Sequence, residues 1–222
     1  MNMWRAYWSA LLAPLLWVAP PLGAASVPGS VTSQYPTLPL AFVGQRAGAQ
    51  ARYVARGKGY AISLSNGNAA IGIQAKPGGS SSAISMQFAG GRHVAGIPGP
   101  ELPGTVNYIR GKDPSQWQVG LPTYGRVTYK GIYSGVDVAY YGNQRQLEFD
   151  LILKPGANAG RVRLKFGGAR RMSEAADGSL VIEGAGGDLR IPLPAIYQEV
   201  DGNRRKVQGR YVLLGGNEAP SA

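Results

Sequence analysis

The sequence predicts an all-β fold, an antiparallel β-sandwich of roughly a dozen short strands. Apolar and polar residues alternate with period two in run after run, and turn signals separate the runs about every 8–12 residues. No segment sustains a helical period over three turns.

The strands follow in order. Residues 26–40, with Pro28, Pro36 and Pro39, read as an extended leader to a domain over residues 41–214. Tyr60, Ile62 and Leu64 alternate with Ala61, Ser63 and Ser65, and Asn66-Gly67 then signals a tight hairpin into Ile71 and Ile73. Pro77 to Ser82 is a Gly/Ser loop, followed by Ile84, Met86 and Phe88 in alternation with Ser85 and Gln87. The Pro-rich stretch 96–104 is the best candidate for a domain seam. A short strand is expected from Gly104 to Ile109, then a capped turn at Asp113-Pro114-Ser115 that places Trp117. Further on, Val127 and Tyr129, then Val136, Val138 and Tyr140, then Leu147, Phe149, Leu151 and Leu153 mark three strands. Val162, Leu164 and Phe166, alternating with Arg161, Arg163 and Lys165, mark a fourth. Asp177-Gly178 and Gly186-Gly187 introduce two more, and Asp201-Gly202 joins Ile196–Val200 to Val207–Leu214. Residues 215–222 read as a flexible tail.

The N-terminus has the pattern of a secretory signal. One positive charge, Arg5, precedes the uncharged apolar run from Ala6 to Val18. Pro20 and Pro21 break any helix, and Gly23-Ala24-Ala25 offers small residues for cleavage after Ala25. The run is shorter than the roughly 20 residues a spanning helix needs, and Pro14 interrupts it. The expectation is therefore an extracytoplasmic protein, whether secreted, periplasmic or on the cell surface, with no membrane span after cleavage.

The chain carries a formal charge of +11, unevenly distributed. Six bases and no acid lie between Ser26 and Pro100, whereas 16 bases and 12 acids follow from Glu101 onward. Such asymmetry suits an anionic partner such as an acidic polysaccharide or another envelope protein, and it equally serves solubility. Export argues against a nucleic-acid partner. There is no cysteine, so thiol nucleophiles, thiolate metal sites and disulfides are excluded.

Ordinary catalytic devices are scarce. The one histidine, His93, sits in the turn Gly90-Gly91-Arg92-His93, and no Gly-x-Ser-x-Gly elbow is present. Neither a histidine metal site nor a cofactor fingerprint is found. Carboxylates remain. Glu148 and Asp150, two apart on one strand, point to the same face, with Asp137 on the preceding strand. They suit a paired-acid glycosidase site or a calcium cluster. Alternatively they line the solvent face of an amphipathic strand, paired with Arg126, Lys130 or Arg145, or Asp150 ties down a loop such as Pro155-Gly156. Tyr124, Tyr129, Tyr133, Tyr140 and Tyr141 crowd the same region, some at core positions; Tyr124 and Tyr141 are candidates for sugar stacking. Arg161, Arg163 and Lys165 on one strand face, with Arg170-Arg171 in a loop, and Arg204-Arg205-Lys206 are candidate anion-binding patches.

An ordered string of motifs adds context. Leu121-Pro122-Thr123-Tyr124-Gly125-Arg126-Val127, Gly131-Ile132-Tyr133-Ser134-Gly135-Val136-Asp137-Val138 and Tyr140-Tyr141-Gly142-Asn143 stand in sequence. Leu147-Glu148-Phe149-Asp150, Lys154-Pro155-Gly156-Ala157 and Pro194-Ala195-Ile196-Tyr197-Gln198-Glu199 continue it. Together they resemble the N-terminal domain of bacterial SBBP-repeat (beta-propeller repeat) proteins, over roughly Ala41 to Leu214 and here without the propeller. Val43-Gly44-Gln45-Arg46 departs from that family's entry motif. The resemblance implies a β-rich exported module of uncharacterised function that accompanies surface repeats, and it carries no catalytic residues. The combined expectation is a non-enzymatic binding or structural module.

Overall fold

The computed structural model describes residues 5–14, 40–47, 50–57, 59–73, 82–143, 146–200 and 203–214. The cleavage site at Ala25, the leader up to residue 39, most of the Gly/Ser loop, Arg145, the Asp201-Gly202 turn and the tail lie outside these residues.

Strands dominate. In chain order they are β1 (Arg5–Pro14), β2 (Phe42–Ala47), β3 (Gln50–Gly57), β4 (Tyr60–Ser65), β5 (Asn68–Ile73) and β6 (Ser82–Phe88). β7 (Gly96–Pro98), β8 (Glu101–Tyr108), β9 (Gln118–Tyr124), β10 (Arg126–Tyr133), β11 (Val136–Asn143) and β12 (Gln146–Leu153) follow. The last six are β13 (Leu164–Gly167), β14 (Ala169–Glu174), β15 (Leu180–Gly184), β16 (Leu189–Ile191), β17 (Ala195–Val200) and β18 (Asn203–Val207). Two short 3-10 turns, Pro114–Gln116 and Ala159–Arg161, interrupt them.

Two antiparallel sheets form the sandwich. One has eight strands in the order β13-β6-β5-β4-β3-β2-β9-β8. The other has ten: β14-β15-β16-β1-β12-β11-β10-β7, with β17 also paired to β1 and β18 paired to β17. The chain crosses from the second of these sheets to the first between β7 and β8, inside the Pro-rich stretch that the sequence marks as a seam. Residues on both sides of that crossing share one core.

That core is built from the alternating positions. Ile62, Leu64, Ile71, Ile84 and Met86 on one sheet face Val127, Tyr129, Val138, Tyr140, Phe149 and Leu151 on the other. Each such side chain, buried from water, contributes about 1.5–3 kcal/mol. The tip of the β4–β5 hairpin is drawn into this core. Asn66 and Gly67 have φ of 55° and 87°, the paired left-handed conformation that asparagine and glycine tolerate best. A Cβ on Gly67 would lie 3.0 Å from Ile132 Cγ2, and the Gly67 carbonyl accepts the Tyr140 hydroxyl at 2.8 Å. One buried hydrogen bond thus ties the hairpin of one sheet to the centre of the other.

The structure alters some local expectations. The strand expected from Gly104 to Ile109 runs from Glu101 to Tyr108. The return strand after β17 ends at Val207, and residues 208–214 form no strand. Arg170 and Arg171 lie on β14 rather than in a loop, because the tight turn to β14 is made by Gly168, at φ 77°.

Candidate functional site

The three acids fall on one face of the ten-stranded sheet, opposite the core row of Leu147, Phe149 and Leu151. In the β11–β12 register Asp137 stands opposite Ile152, Ala139 opposite Asp150 and Tyr141 opposite Glu148. Asp150 is therefore diagonal to Asp137 and two residues from Glu148, roughly 7 Å from each by sheet geometry. Spacing alone would suit a paired-acid site.

Their surroundings are structural. Asp137 Oδ1 accepts the Gly131 N–H at 2.6 Å. Gly131 is the left-handed residue (φ 69°) of an irregularity between Tyr129 and Tyr133 where the β10–β11 register shifts. From the other side, Arg92 Nε donates to the Gly131 carbonyl at 2.8 Å and the Arg92 N–H to the Ile132 carbonyl at 2.8 Å. Asp137 and Arg92 together hold this bulge in place. Glu148 accepts from Asn143 Nδ2 at 2.7 Å. Asp150 accepts the Tyr141 hydroxyl at 2.8 Å and Arg126 Nη2 at 3.4 Å, while the Arg126 guanidinium lies 5.1 Å from the Tyr141 ring centroid.

The solvent-face alternative is thus corrected: Asp137, Glu148 and Asp150 are each 8–9% exposed. Period-two alternation names the face and not its cover, and here Tyr141, Arg126 and Asn143 lie against the carboxylates. Among the described residues, Arg126 pairs with Asp150. The loop-tying role belongs to Asp137, which fixes a bulge. Among the described residues, no group of three His, Cys, Asp or Glu side chains is arranged to hold a metal ion.

The other candidates do not converge. Tyr124 is on β9, edge-on to Tyr53 at 6.3 Å, and its hydroxyl reaches Glu101 Oε1 at 3.5 Å. Desolvation and then the Glu101 charge raise its pKa. Tyr141 is on the other sheet. Arg161, Arg163 and Lys165 do not share a strand face, because Asn158 caps a 3-10 turn through Arg161, accepting from Gly160 N at 2.9 Å. Arg163 turns back to donate to the carbonyls of Gly160 and Val162. Lys165 is on the edge strand β13, six strand spacings or roughly 29 Å along the sheet from Tyr124 on β9. Among the remaining tyrosines, Tyr129 and Tyr140 are fully buried core residues, with rings 6.0 Å apart and edge-on. Tyr133 is half-buried and donates to the Ala89 carbonyl at 2.7 Å.

A further exposed surface lies outside the candidate site residues named from the sequence, around the turn that places Trp117. The β8–β9 hairpin projects so that every residue from Ile109 to Gly120 is exposed. It presents Ile109, Trp117 and Val119, the last 63% exposed, beside Arg110 and Lys112. Its own acid is exposed as well but engaged locally: Asp113 accepts the Ser115 N–H at 3.0 Å and caps the 3-10 turn, and its bonds to the Ser115 side chain and backbone lower its pKa. Trp117 Nε1 donates to the Gly111 carbonyl at 3.4 Å and Gly120 N to Asn107 Oδ1 at 2.7 Å, so the arm is internally braced. The available sequence signal was a tryptophan and two bases in a segment whose apolar residues do not alternate cleanly.

No curated protein and no solved structure matches this chain. One family model matches over residues 41–219, well over half of the chain, and the protein accordingly belongs to the family DUF7948, a domain of unknown function.

Proposed function

We propose that this protein is an exported, non-enzymatic binding module of a bacterial cell-surface or secreted assembly, cut after Ala25 and working outside the cytoplasm. The observation that carries the reading is the β8–β9 arm, where exposed Trp117, Ile109 and Val119 stand beside Arg110 and Lys112, and the neighbouring Asp113 is engaged as a cap on Ser115. An aromatic with flanking bases suits an acidic polysaccharide or another acidic envelope polymer, through stacking and charge together. The acidic face supports the non-enzymatic side of the proposal, because each carboxylate already serves the sheet as an acceptor. The resemblance to the N-terminal domain of SBBP-repeat proteins favours a surface context.

The test is a titration of the exported protein with polygalacturonate at rising salt. Binding that weakens steeply with ionic strength and is lost in Trp117→Ala/Arg110→Ala supports the proposal. Binding unchanged in that variant overturns the assignment of the arm. Glycan hydrolysis abolished by Asp150→Asn in a folded protein overturns the non-enzymatic reading.

A further inference from the structure

The first strand of this chain lies inside a sheet and not at its edge. Ala6 to Leu12 of β1 pair with Leu153 to Leu147 of β12. Along the opposite edge, Arg5 to Ser9 pair with Glu199 to Ala195 of β17, and Ala13 and Pro14 with Arg190 and Leu189 of β16. Among the described residues, no other strand pairs with both β12 and the β16/β17 side. These same ten residues belong to the signal segment 1–25 that the export reading removes.

We propose that removal of the signal segment opens a strand slot between β12 and β16/β17, and that this slot accepts an extended segment of a partner polypeptide. The inference rests on the export reading of the preceding section. The β12 and β16 walls of the slot do not depend on β1 for their place, whereas β17 pairs otherwise only with β18. β12 is paired along its whole length with β11. On the other side, Ile182, Leu189 and Ile191 share the core with Ile73 and Ile84. A Cβ on Gly184 would lie only 2.9 Å from Ile84 Cδ1, so β15 is seated directly on the opposite sheet.

The walls specify the occupant. Backbone N–H and C=O groups along an open β12 edge demand a ladder partner, which gives affinity with little regard to sequence. Specificity comes from alternate positions. Residues opposite Leu147, Phe149, Leu151 and Leu153 must be apolar, since these four are buried. The residue opposite Asp150, where β1 has Ser9, must be small or a hydrogen-bond donor. Two flanking stretches of the sequence, 26–39 and 215–222, do not carry this alternating set. Residues 26–39 carry Pro28, Pro36 and Pro39, and the run between the first two has Val31 and Tyr35 as its large apolar residues. Residues 215–222 have none. The proposed occupant is a segment of another polypeptide that carries this alternating set.

The experiment uses the exported protein, its N-terminus sequenced, and a fluorescent peptide with the sequence of Arg5–Pro14 as the probe. Expected is saturable binding to protein beginning at Ser26, with hydrogen-exchange protection gained at residues 147–153 and 195–199. The full chain 1–222, whose slot holds β1, should bind at least about tenfold more weakly. A peptide with Ala10→Pro, which breaks the ladder, or Trp8→Asp, which sets a charge opposite Leu151, should lose about tenfold or more. An N-terminus retained at Met1 overturns the export reading and the open slot with it. A start at Ser26 with no binding, with β12 amides already protected before peptide is added, or with equal binding of the Ala10→Pro peptide overturns the slot alone.

Discussion

Two core tyrosines with touching rings should respond oppositely to loss of the hydroxyl. Tyr140 donates a buried 2.8 Å hydrogen bond to the Gly67 carbonyl at the tip of the β4–β5 hairpin. Tyr140→Phe removes that bond, with a net contribution of about 0.5–1.5 kcal/mol, and leaves a carbonyl without its donor in an apolar core, for a total cost of about 1–3 kcal/mol. The Tyr129 hydroxyl, equally buried, has no hydrogen-bond partner among the described residues. Tyr129→Phe deletes a desolvated polar group and no bond, and should leave stability unchanged or raise it by up to about 2 kcal/mol. Urea unfolding followed by tryptophan fluorescence and far-UV circular dichroism measures both, with unchanged m-values as the control for an intact fold. At this chain length about 1 kcal/mol corresponds to roughly 2–4 °C in Tm, so the two variants should melt on opposite sides of the parent or nearly so. Equal destabilisation would refute the reasoning, since it would mean that ring packing and not the Gly67 bond decides the cost.

Asp137→Ala strips the acceptor from the Gly131 N–H and should cost about 1–3 kcal/mol, while Asp137→Asn, which keeps an acceptor oxygen, should cost clearly less; chemical denaturation of the pair checks the bulge-holding role. Hydrogen bonds from the Ser179 side chain, the Ser179 N–H and Arg190 Nη2 hold the Asp177 pKa down to about 2. With the folded pKa depressed, its contribution is present above the ordinary aspartate pKa near 4 and is lost as pH falls towards 2. An NMR titration of the Asp177 carboxyl should show the low midpoint, and Arg190→Ala should move it up. Burial raises the pKa of Tyr129, Tyr140 and Tyr211, so the folded state prefers them neutral. Stability is fully present below pH about 10 and should fall as pH rises above it, by up to about 1.4 kcal/mol per pH unit for each tyrosine, as followed by unfolding at stepped alkaline pH.

Much of this fold was legible because period-two patterning reports burial directly. Leu147, Phe149, Leu151 and Leu153 name both their strand and its core face, and Asn66-Gly67 names its turn by the left-handed backbone it alone accepts readily. The acidic face was half legible: Asp137, Glu148 and Asp150 do share a side of the sheet. Their burial was not legible, since it depends on Tyr141, Arg126 and Asn143, and a strand pattern says nothing about what lies across it. Arg161, Arg163 and Lys165 misled because alternation over six residues fits a strand, whereas Asn158 starts a 3-10 turn that takes up the first of them. The pairing of β1 was beyond the pattern altogether. A ladder between residue 10 and residue 149 is set by the room left between distant strands, and local periodicity carries no record of it.

The outer strands of the two sheets have a consequence for the protein in concentrated solution. β18 carries exposed Arg204, Arg205 and Lys206, β14 carries exposed Arg170 and Arg171, and β13 carries exposed Lys165, each on a strand with one side of its ladder unpaired. Copies approaching through the β13 or β18 edge thus meet charge of the same sign before their backbones align. The net charge of +11 then acts as a colloidal barrier placed where self-templating would begin. At 1 M salt, where the screening length falls to about 3 Å, or against an excess of a polyanion, that barrier collapses while the fold stands.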